Sequence, residues 1–189
     1  MRAALLPIAL LLAACQVEQA DAPESLVGAS NFPAPEALEQ ETIMIVRGPA
    51  VDAPLEQVLR HELRPDNTLL VTLVTLGDGP EEKVVAEDRF RLSVGIADRA
   101  RQALWRMRPA ELQGAEWLVW PSGCEPRSNH VYGEAQVAFI KPDDTVGVFA
   151  LPSPNSCSTR QAEEARRLFW QVVASFPYSK AAVAFSQQS

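Results

Sequence analysis

Six arginines and one tryptophan lie within twenty consecutive residues of this chain. Arginine presents a planar fork of N–H donors that fits carboxylate and phosphate groups. Tryptophan and arginine are also enriched among the residues that contribute most to binding energy. We therefore predict an exposed binding surface for an anionic partner, formed by Arg89, Arg91, Arg99, Arg101, Trp105, Arg106 and Arg108. The alternative is a solvated face that is neutralised by the neighbouring acids Glu81, Glu82, Glu87, Asp88 and Asp98.

Catalysis based on histidine would have to use one of two residues, His61 or His130. Ser122 lies eight residues before His130 and could act as a nucleophile with that histidine as its base. No G-x-S-x-G motif surrounds Ser122, and the nearby prolines and glycine describe a turn beside Cys124 equally well. We predict a noncatalytic protein. A hydrolase that uses Ser122 and His130 stays an alternative, as does an enzyme inhibitor that presents the loop from Ser122 to Arg127.

Metal and cofactor sites are not predicted. The sequence His61-Glu62-Leu63-Arg64-Pro65 lacks the second histidine of the H-E-x-x-H zinc motif. Neither of the glycine-rich phosphate-binding motifs occurs. The formal net charge of −7 also argues against nonspecific binding to nucleic acid, which needs a basic surface.

The N-terminus has the pattern of an exported chain. Arg2 is followed by residues 3–14, which contain no polar side chain. This run is shorter than the roughly twenty residues that a membrane-spanning helix needs, so it is typical of a signal peptide. The residues at its end, Leu12-Ala13-Ala14-Cys15, resemble the lipobox of bacterial lipoproteins.

That resemblance implies a signal peptide over residues 1–14 and acyl chains on Cys15, the first residue of the mature protein. Two or three acyl chains, at about 0.8 kcal/mol per buried CH₂, would hold the protein on the lipid bilayer permanently. In Gram-negative lipoproteins of this class an aspartate after the cysteine favours the inner membrane. Here that residue is Gln16, so the resemblance implies the periplasmic face of the outer membrane. An ordinary signal peptide cleaved after Ala22 is the alternative.

The cysteine count then predicts a disulfide. With Cys15 acylated, Cys124 and Cys157 are the two cysteines left, in an oxidising compartment where thiols pair. Closing a loop of this length would stabilise the fold by about 3.7 kcal/mol in the chain-entropy account. A reactive catalytic cysteine is the competing interpretation.

Composition divides the mature chain into three parts. Residues 15–41 contain several acids and prolines and no lysine or arginine, which predicts a disordered acidic tether after the lipidated cysteine. Residues 42–176 have the apolar content of one folded domain. Residues 177–189 are predicted to be a loose tail.

Periodicity within the domain predicts strands at 42–47, 69–76, 89–94, 116–120, 130–140 and 145–151, and helices at 53–63, 96–107 and 158–176. Leu55, Val58, Leu59 and Leu63 carry the prediction of the first helix. These elements predict an α+β fold with an antiparallel sheet of about six strands and three helices. The first six match a ferredoxin-like plan followed by a C-terminal hairpin and helix, and the rival is a meandering antiparallel sheet with helices on one face.

Overall fold

One mixed β-sheet runs through the computed structural model, which describes residues 25–26, 35–48, 57–76, 82–112, 114, 117–124 and 135–187. In this part of the chain the strands are β1 (Thr42–Arg47), β2 (Gln57–Leu63), β3 (Thr68–Leu76), β4 (Glu82–Arg91), β5 (Leu118–Val119), β6 (Ala135–Ile140) and β7 (Val146–Leu151). The helices are α1 (Val94–Trp105), α2 (Arg160–Ser175) and α3 (Lys180–Ser186), and a short 3-10 helix covers Pro35–Gln40.

The sheet order is β4-β3-β2-β1-β6-β7-β5. Every neighbouring pair is antiparallel except β5 and β7, which are parallel. The first four strands therefore form a meander, and β6 and β7 form the predicted hairpin. The prediction of a single α+β domain is confirmed, with seven strands where about six were expected.

The core lies on one face of the sheet. Cross-strand pairs on that face, such as Ile43 with Phe139 and Leu63 with Leu69, are buried. The same apolar cluster includes Leu104 of α1, and Phe169 and Phe185 from α2 and α3. Burial of this apolar surface against the helices is the main stabilising term of the fold.

The helix predicted over 53–63 is wrong in its described part, because Gln57–Leu63 is strand β2. His61 accounts for the error. Leu59, His61 and Leu63 alternate as buried residues of a strand, but a histidine counts as polar in a sequence pattern, so the alternation was hidden. Since β2 pairs with β1 and β3, the ferredoxin-like plan is excluded and the meandering sheet is the observed arrangement.

The segment before β1 differs from the predicted tether. Leu26 and Leu38 are fully buried, and residues 35–40 form the 3-10 helix that contacts α1. The N–H of Leu26 donates to the carbonyl of Arg106, and its own carbonyl accepts from the N–H of Ser122. Leu26 and Leu38 therefore belong to the core of the domain.

The predicted loose tail is also incorrect, because residues 180–186 form helix α3 against β2, β3 and β4. Ser179 caps this helix by accepting from the N–H of Ala182, and Asp88 of β4 accepts from the N–H of Ala181. These two acceptors satisfy donors that a helix N-terminus leaves unpaired. Ala181 and Phe185, four residues apart on the same face of the helix, are buried.

The two remaining helix predictions are close to the structure. α2 begins one residue later than expected, with Thr159 in place of Ser158 as its N-cap. α1 is rotated relative to its predicted apolar stripe, so Ala97, Ala100 and Leu104 are buried together with Arg101 and Trp105. Within the described residues, no helix is both long and apolar enough to cross a bilayer.

Candidate functional site

The structure divides the predicted arginine surface in two. Arg89, Arg91 and Arg99 are exposed, whereas Arg101 and Arg108 are buried and Arg106 is half-buried. Trp105, which was predicted to be exposed, is 8% exposed. The prediction of one exposed face is therefore wrong, because the rotation of α1 buries Arg101 and Trp105, and Arg108 is buried in the segment that follows the helix.

Arg108 forms a buried ion pair with Glu41. Its Nη2 and Nε donate to the two carboxylate oxygens of Glu41 at 2.7 and 2.9 Å, and its Nη1 donates to the carbonyl of Pro109. Both side chains are almost completely buried. This bidentate pair attaches the residue before β1 to the segment that follows α1, and its role is structural.

Arg101 holds the turn between β2 and β3. Its guanidinium donates to Oδ1 of Asn67 at 2.7 Å and to the carbonyl of Arg64 at 2.8 Å. Asn67 has a φ of 65°, a left-handed conformation that asparagine tolerates in turns. Burial lowers the pKa of Arg101, and Asp98 opposes that effect at a distance of 3.8 Å.

Arg106 forms an ion pair with Glu164 of α2. The hydrogen bond from Arg106 lowers the pKa of the Glu164 carboxyl, and the positive charges of Arg106, Arg167 and Arg160 lower it further. Arg106 therefore joins α1 to α2 beside a group of arginines on α2. No local sequence pattern predicts this pairing, since the two partners are 58 residues apart.

The exposed arginines do not share a face. Arg89 and Arg91 lie on β4, where Arg91 pairs with Asp66, whereas Arg99 lies on α1. Asp66, the partner of Arg91, is not one of the five neighbouring acids that were predicted to neutralise the arginine-rich stretch.

The disulfide between Cys124 and Cys157 is present, as predicted from the cysteine count, with the two Cα atoms 5.8 Å apart. Thr159 lies beside it; its hydroxyl donates to the carbonyl of Ser122 and also accepts from the N–H of Ala162 as the cap of α2. The bridge and this cap attach the loop at Ser122 to the start of α2. Three predicted site residues, Cys15, Arg127 and His130, lie outside the described residues.

An aromatic cluster lies where α2 and α3 meet the sheet. The guanidinium carbon of Arg47, at the end of β1, is 4.6 Å from the ring centroid of Trp170 and 5.4 Å from that of Phe185. Such distances are those of cation–π contacts. We call the set of Arg47, His61, Trp170, Phe176 and Phe185 the aromatic seam.

His61 forms the inner part of the aromatic seam. Its ring centroid is 5.7 Å from that of Phe176, and the side chain is buried. Desolvation, followed by the charge of Arg47, lowers the pKa of His61 to about 4. Its Nδ1 is buried without a hydrogen-bond partner among the described residues. The imidazole is therefore neutral at physiological pH.

The outer part of the aromatic seam reaches the surface. Trp170 is 37% exposed, and Tyr178, in the connection between α2 and α3, is 85% exposed. Trp170 and Tyr178 are not among the predicted site residues, because the prediction of a loose tail separated Tyr178 and Phe185 from Trp170. Five aromatic residues between positions 169 and 185 were the available signal.

Metal binding finds no support in the described part of the chain, where no three His, Cys, Asp or Glu side chains are grouped so that they could hold an ion. Comparison with known protein families gives no match for this sequence. No curated protein is significantly similar to it.

Proposed function

We propose that the chain is a lipid-anchored, noncatalytic binding protein of the Gram-negative cell envelope, held at the periplasmic face of the outer membrane by acylated Cys15. The lipobox resemblance supports the anchor. The disulfide between Cys124 and Cys157 fits an oxidising compartment and leaves Cys15 as the remaining cysteine of the chain.

The observation that carries the binding role is the exposed edge of the aromatic seam. Trp170 is held by Arg47 on one side and packs edge to face against Phe169, with ring centroids 5.1 Å apart. An exposed tryptophan that is fixed by its neighbours loses little conformational entropy when a partner covers it. Tryptophan is one of the residue types enriched among those that contribute most to protein–protein binding, and so is tyrosine, of which the exposed Tyr178 lies eight residues farther along the chain. The partner that fits this edge is an envelope protein.

The chemistry of His61 supports a noncatalytic role for this region. General acid–base catalysis is most efficient when the pKa of the group lies near the working pH. A histidine with a pKa of about 4, buried against Phe176, is suited to packing and not to proton transfer at neutral pH.

Intact-mass analysis of the native protein tests the anchor. We expect residues 1–14 to be missing and Cys15 to carry acyl chains. A Cys15→Ala variant should leave the membrane fraction, whereas a Cys124→Ala/Cys157→Ala variant, as the matched control, should stay in it. A native protein that retains residues 1–14, or has an unmodified Cys15, would disprove the anchor.

Photo-crosslinking in cells tests the binding surface. A photoreactive amino acid at position 170 or 178 should give a discrete protein adduct. Trp117 is the matched control, because it is also an exposed tryptophan, 59% exposed beside the edge strand β5. The same probe at 117 should give no such adduct, and adducts at 117 but not at 170 would place the binding surface elsewhere.

A further inference from the structure

The attachment of Leu26 fixes how far the folded domain can lie from a membrane anchor. Leu26 is 1% exposed, and its backbone is hydrogen-bonded to Arg106 and Ser122. It follows Cys15 by eleven residues in the sequence. Eleven residues span at most about 37 Å when fully extended. An anchor at Cys15 therefore lies within that distance of Leu26.

The surface around this attachment point is basic. Arg106, Arg160, Arg166 and Arg167 lie there, and we call them the basic corner. Arg106 accepts the hydrogen bond from Leu26 through its carbonyl, and its guanidinium contacts Glu164 of α2. Arg167 is 3.6 Å from the same carboxylate and its side chain is 62% exposed.

The start of α2 belongs to the same corner. Thr159, which caps α2, donates to Ser122, and Ser122 is bonded to Leu26. Arg160, the first residue of the helix, is exposed. The positive end of the helix dipole adds to its charge.

The charge balance of the basic corner is positive. Glu163 and Glu164 are the two acids of this part of α2, against the four arginines. Arg166 is engaged with the carbonyls of Pro152 and Cys157, which leaves the exposed Arg160 and Arg167 as the groups best placed to meet an external anion. This excess of positive charge contrasts with the net charge of −7 for the whole chain.

We infer that the basic corner faces the bilayer and that Arg160 and Arg167 bind the phosphates of anionic lipid headgroups. The inference rests on the proposed anchor at Cys15. Two observations support it: the separation of eleven residues between Cys15 and Leu26 in the sequence, and the positive charge around the buried Leu26. Tyr178 follows the far end of the 16-residue helix α2, about 24 Å from Arg160 along the helix axis, so we expect it to lie farther from the lipid than the start of the helix.

Fluorescence quenching by spin-labelled lipids tests this orientation. The acylated full-length protein is reconstituted into vesicles of phosphatidylethanolamine with phosphatidylglycerol. A fluorescent amino acid is placed at Ser158 or at Tyr178 by codon suppression, so that no thiol is added beside Cys157. We expect strong quenching at position 158 and weak quenching at position 178. Stronger quenching at 178 would overturn the orientation.

Charge variants test the headgroup contact. Arg160→Gln/Arg167→Gln should lower the ratio of docked to undocked domain about 30-fold, from ~1 kcal/mol for each arginine near an anionic surface. Arg89→Gln/Arg99→Gln removes the same charge from exposed sites on β4 and α1 and should leave quenching unchanged. Phosphatidylcholine vesicles should reproduce the effect of the first variant. Equal quenching at position 158 in anionic and in phosphatidylcholine vesicles would overturn the contact with phosphates.

Two further outcomes separate the possible causes of failure. Glu18, Asp21 and Glu24 precede Leu26 in the sequence. If changing these three acids to Gln abolished the quenching at position 158, they would be the partners of Arg160 and Arg167. That result would overturn the contact with lipid. Mass analysis of the same protein preparation reports acylation separately. An acylated protein with position 178 near the lipid would disprove this orientation alone, whereas an unacylated native protein would disprove the anchor.

Discussion

The arginine-rich stretch contains two groups of the same residue type in opposite environments. Arg89, Arg91 and Arg99 are exposed to solvent, whereas Arg101, Arg106 and Arg108 are buried or half-buried and bind acceptors far away in the sequence. The first group can change with little effect on the fold, because exposed charges remain hydrated. In the second group, Arg101 joins α1 to the turn after β2, and Arg106 joins the end of α1 to α2. Arg108 joins the segment that follows α1 to the residue before β1. Composition alone does not distinguish the two groups; burial does.

The largest effect is expected at Arg108. Arg108→Ala leaves the Glu41 carboxylate buried without its partner, which should lower the free energy of unfolding by about 3–5 kcal/mol. Chemical denaturation measures this change. The double variant Glu41→Met/Arg108→Met should recover most of the loss, since apolar side chains can replace a buried ion pair. If Arg108→Ala is as stable as an exposed-arginine variant, the division into two groups fails.

His61 extends the comparison to a buried base that has no counter-ion. Its pKa is about 4 in the fold, against an ordinary value of 6.5, because of burial and the charge of Arg47. Below about pH 6.5 the unfolded chain therefore binds a proton at His61, whereas the folded chain does not until the pH approaches 4. The free energy of unfolding falls as the pH drops from 6.5 to 4. The loss approaches ~3 kcal/mol at 1.36 kcal/mol per pKa unit.

The measurement is the difference in unfolding free energy between the wild type and His61→Leu as a function of pH. Other titrating groups, including His130, are common to both proteins and cancel. The difference should change by the stated amount between pH 7 and pH 4. A flat difference would mean that His61 titrates normally in the folded protein.

Arg101 and Arg99 give the most closely matched pair, because they lie two residues apart on α1. Arg101→Met removes the hydrogen bonds to Asn67 and to the carbonyl of Arg64, which should cost about 2 kcal/mol. Arg99→Met should change the unfolding free energy by no more than about 0.5 kcal/mol. Equal effects in thermal unfolding would show that the contacts of Arg101 with the turn do not stabilise the fold.

The smallest effect is expected at Arg91. Its ion pair with Asp66 is exposed on both sides, with side-chain exposures of 69% and 59%. Arg91→Gln should leave the denaturation midpoint unchanged within error, because exposed pairs contribute little net stability. A clear loss of stability would mean that Arg91 belongs with the second group, Arg101, Arg106 and Arg108.

Elements that depend on contacts between residues close in sequence were predicted, and features that depend on distant contacts were not. The hairpin of β6 and β7 was predicted because its turn, from Lys141 to Thr145, is local, and Lys141 and Thr145 are hydrogen-bonded across it. Helix α2 was predicted because its apolar period is regular. The buried His61 hid the period of β2, and the rotation of α1 by about one residue changed which of its arginines are exposed. The aromatic seam depends on four separate elements, so no local pattern could indicate it.

The sequence alone determined the α+β class, the pairing of Cys124 with Cys157 and the positions of most strands and helices, because periodicity and cysteine count depend on nearby residues or on chemistry that leaves one choice. Only the tertiary structure decided that Arg101 and Arg108 are buried, that Leu26 belongs to the folded domain, and that Lys180–Ser186 packs against the sheet. These outcomes depend on contacts between residues tens of positions apart. Such contacts stabilise the protein only after folding has brought those residues together.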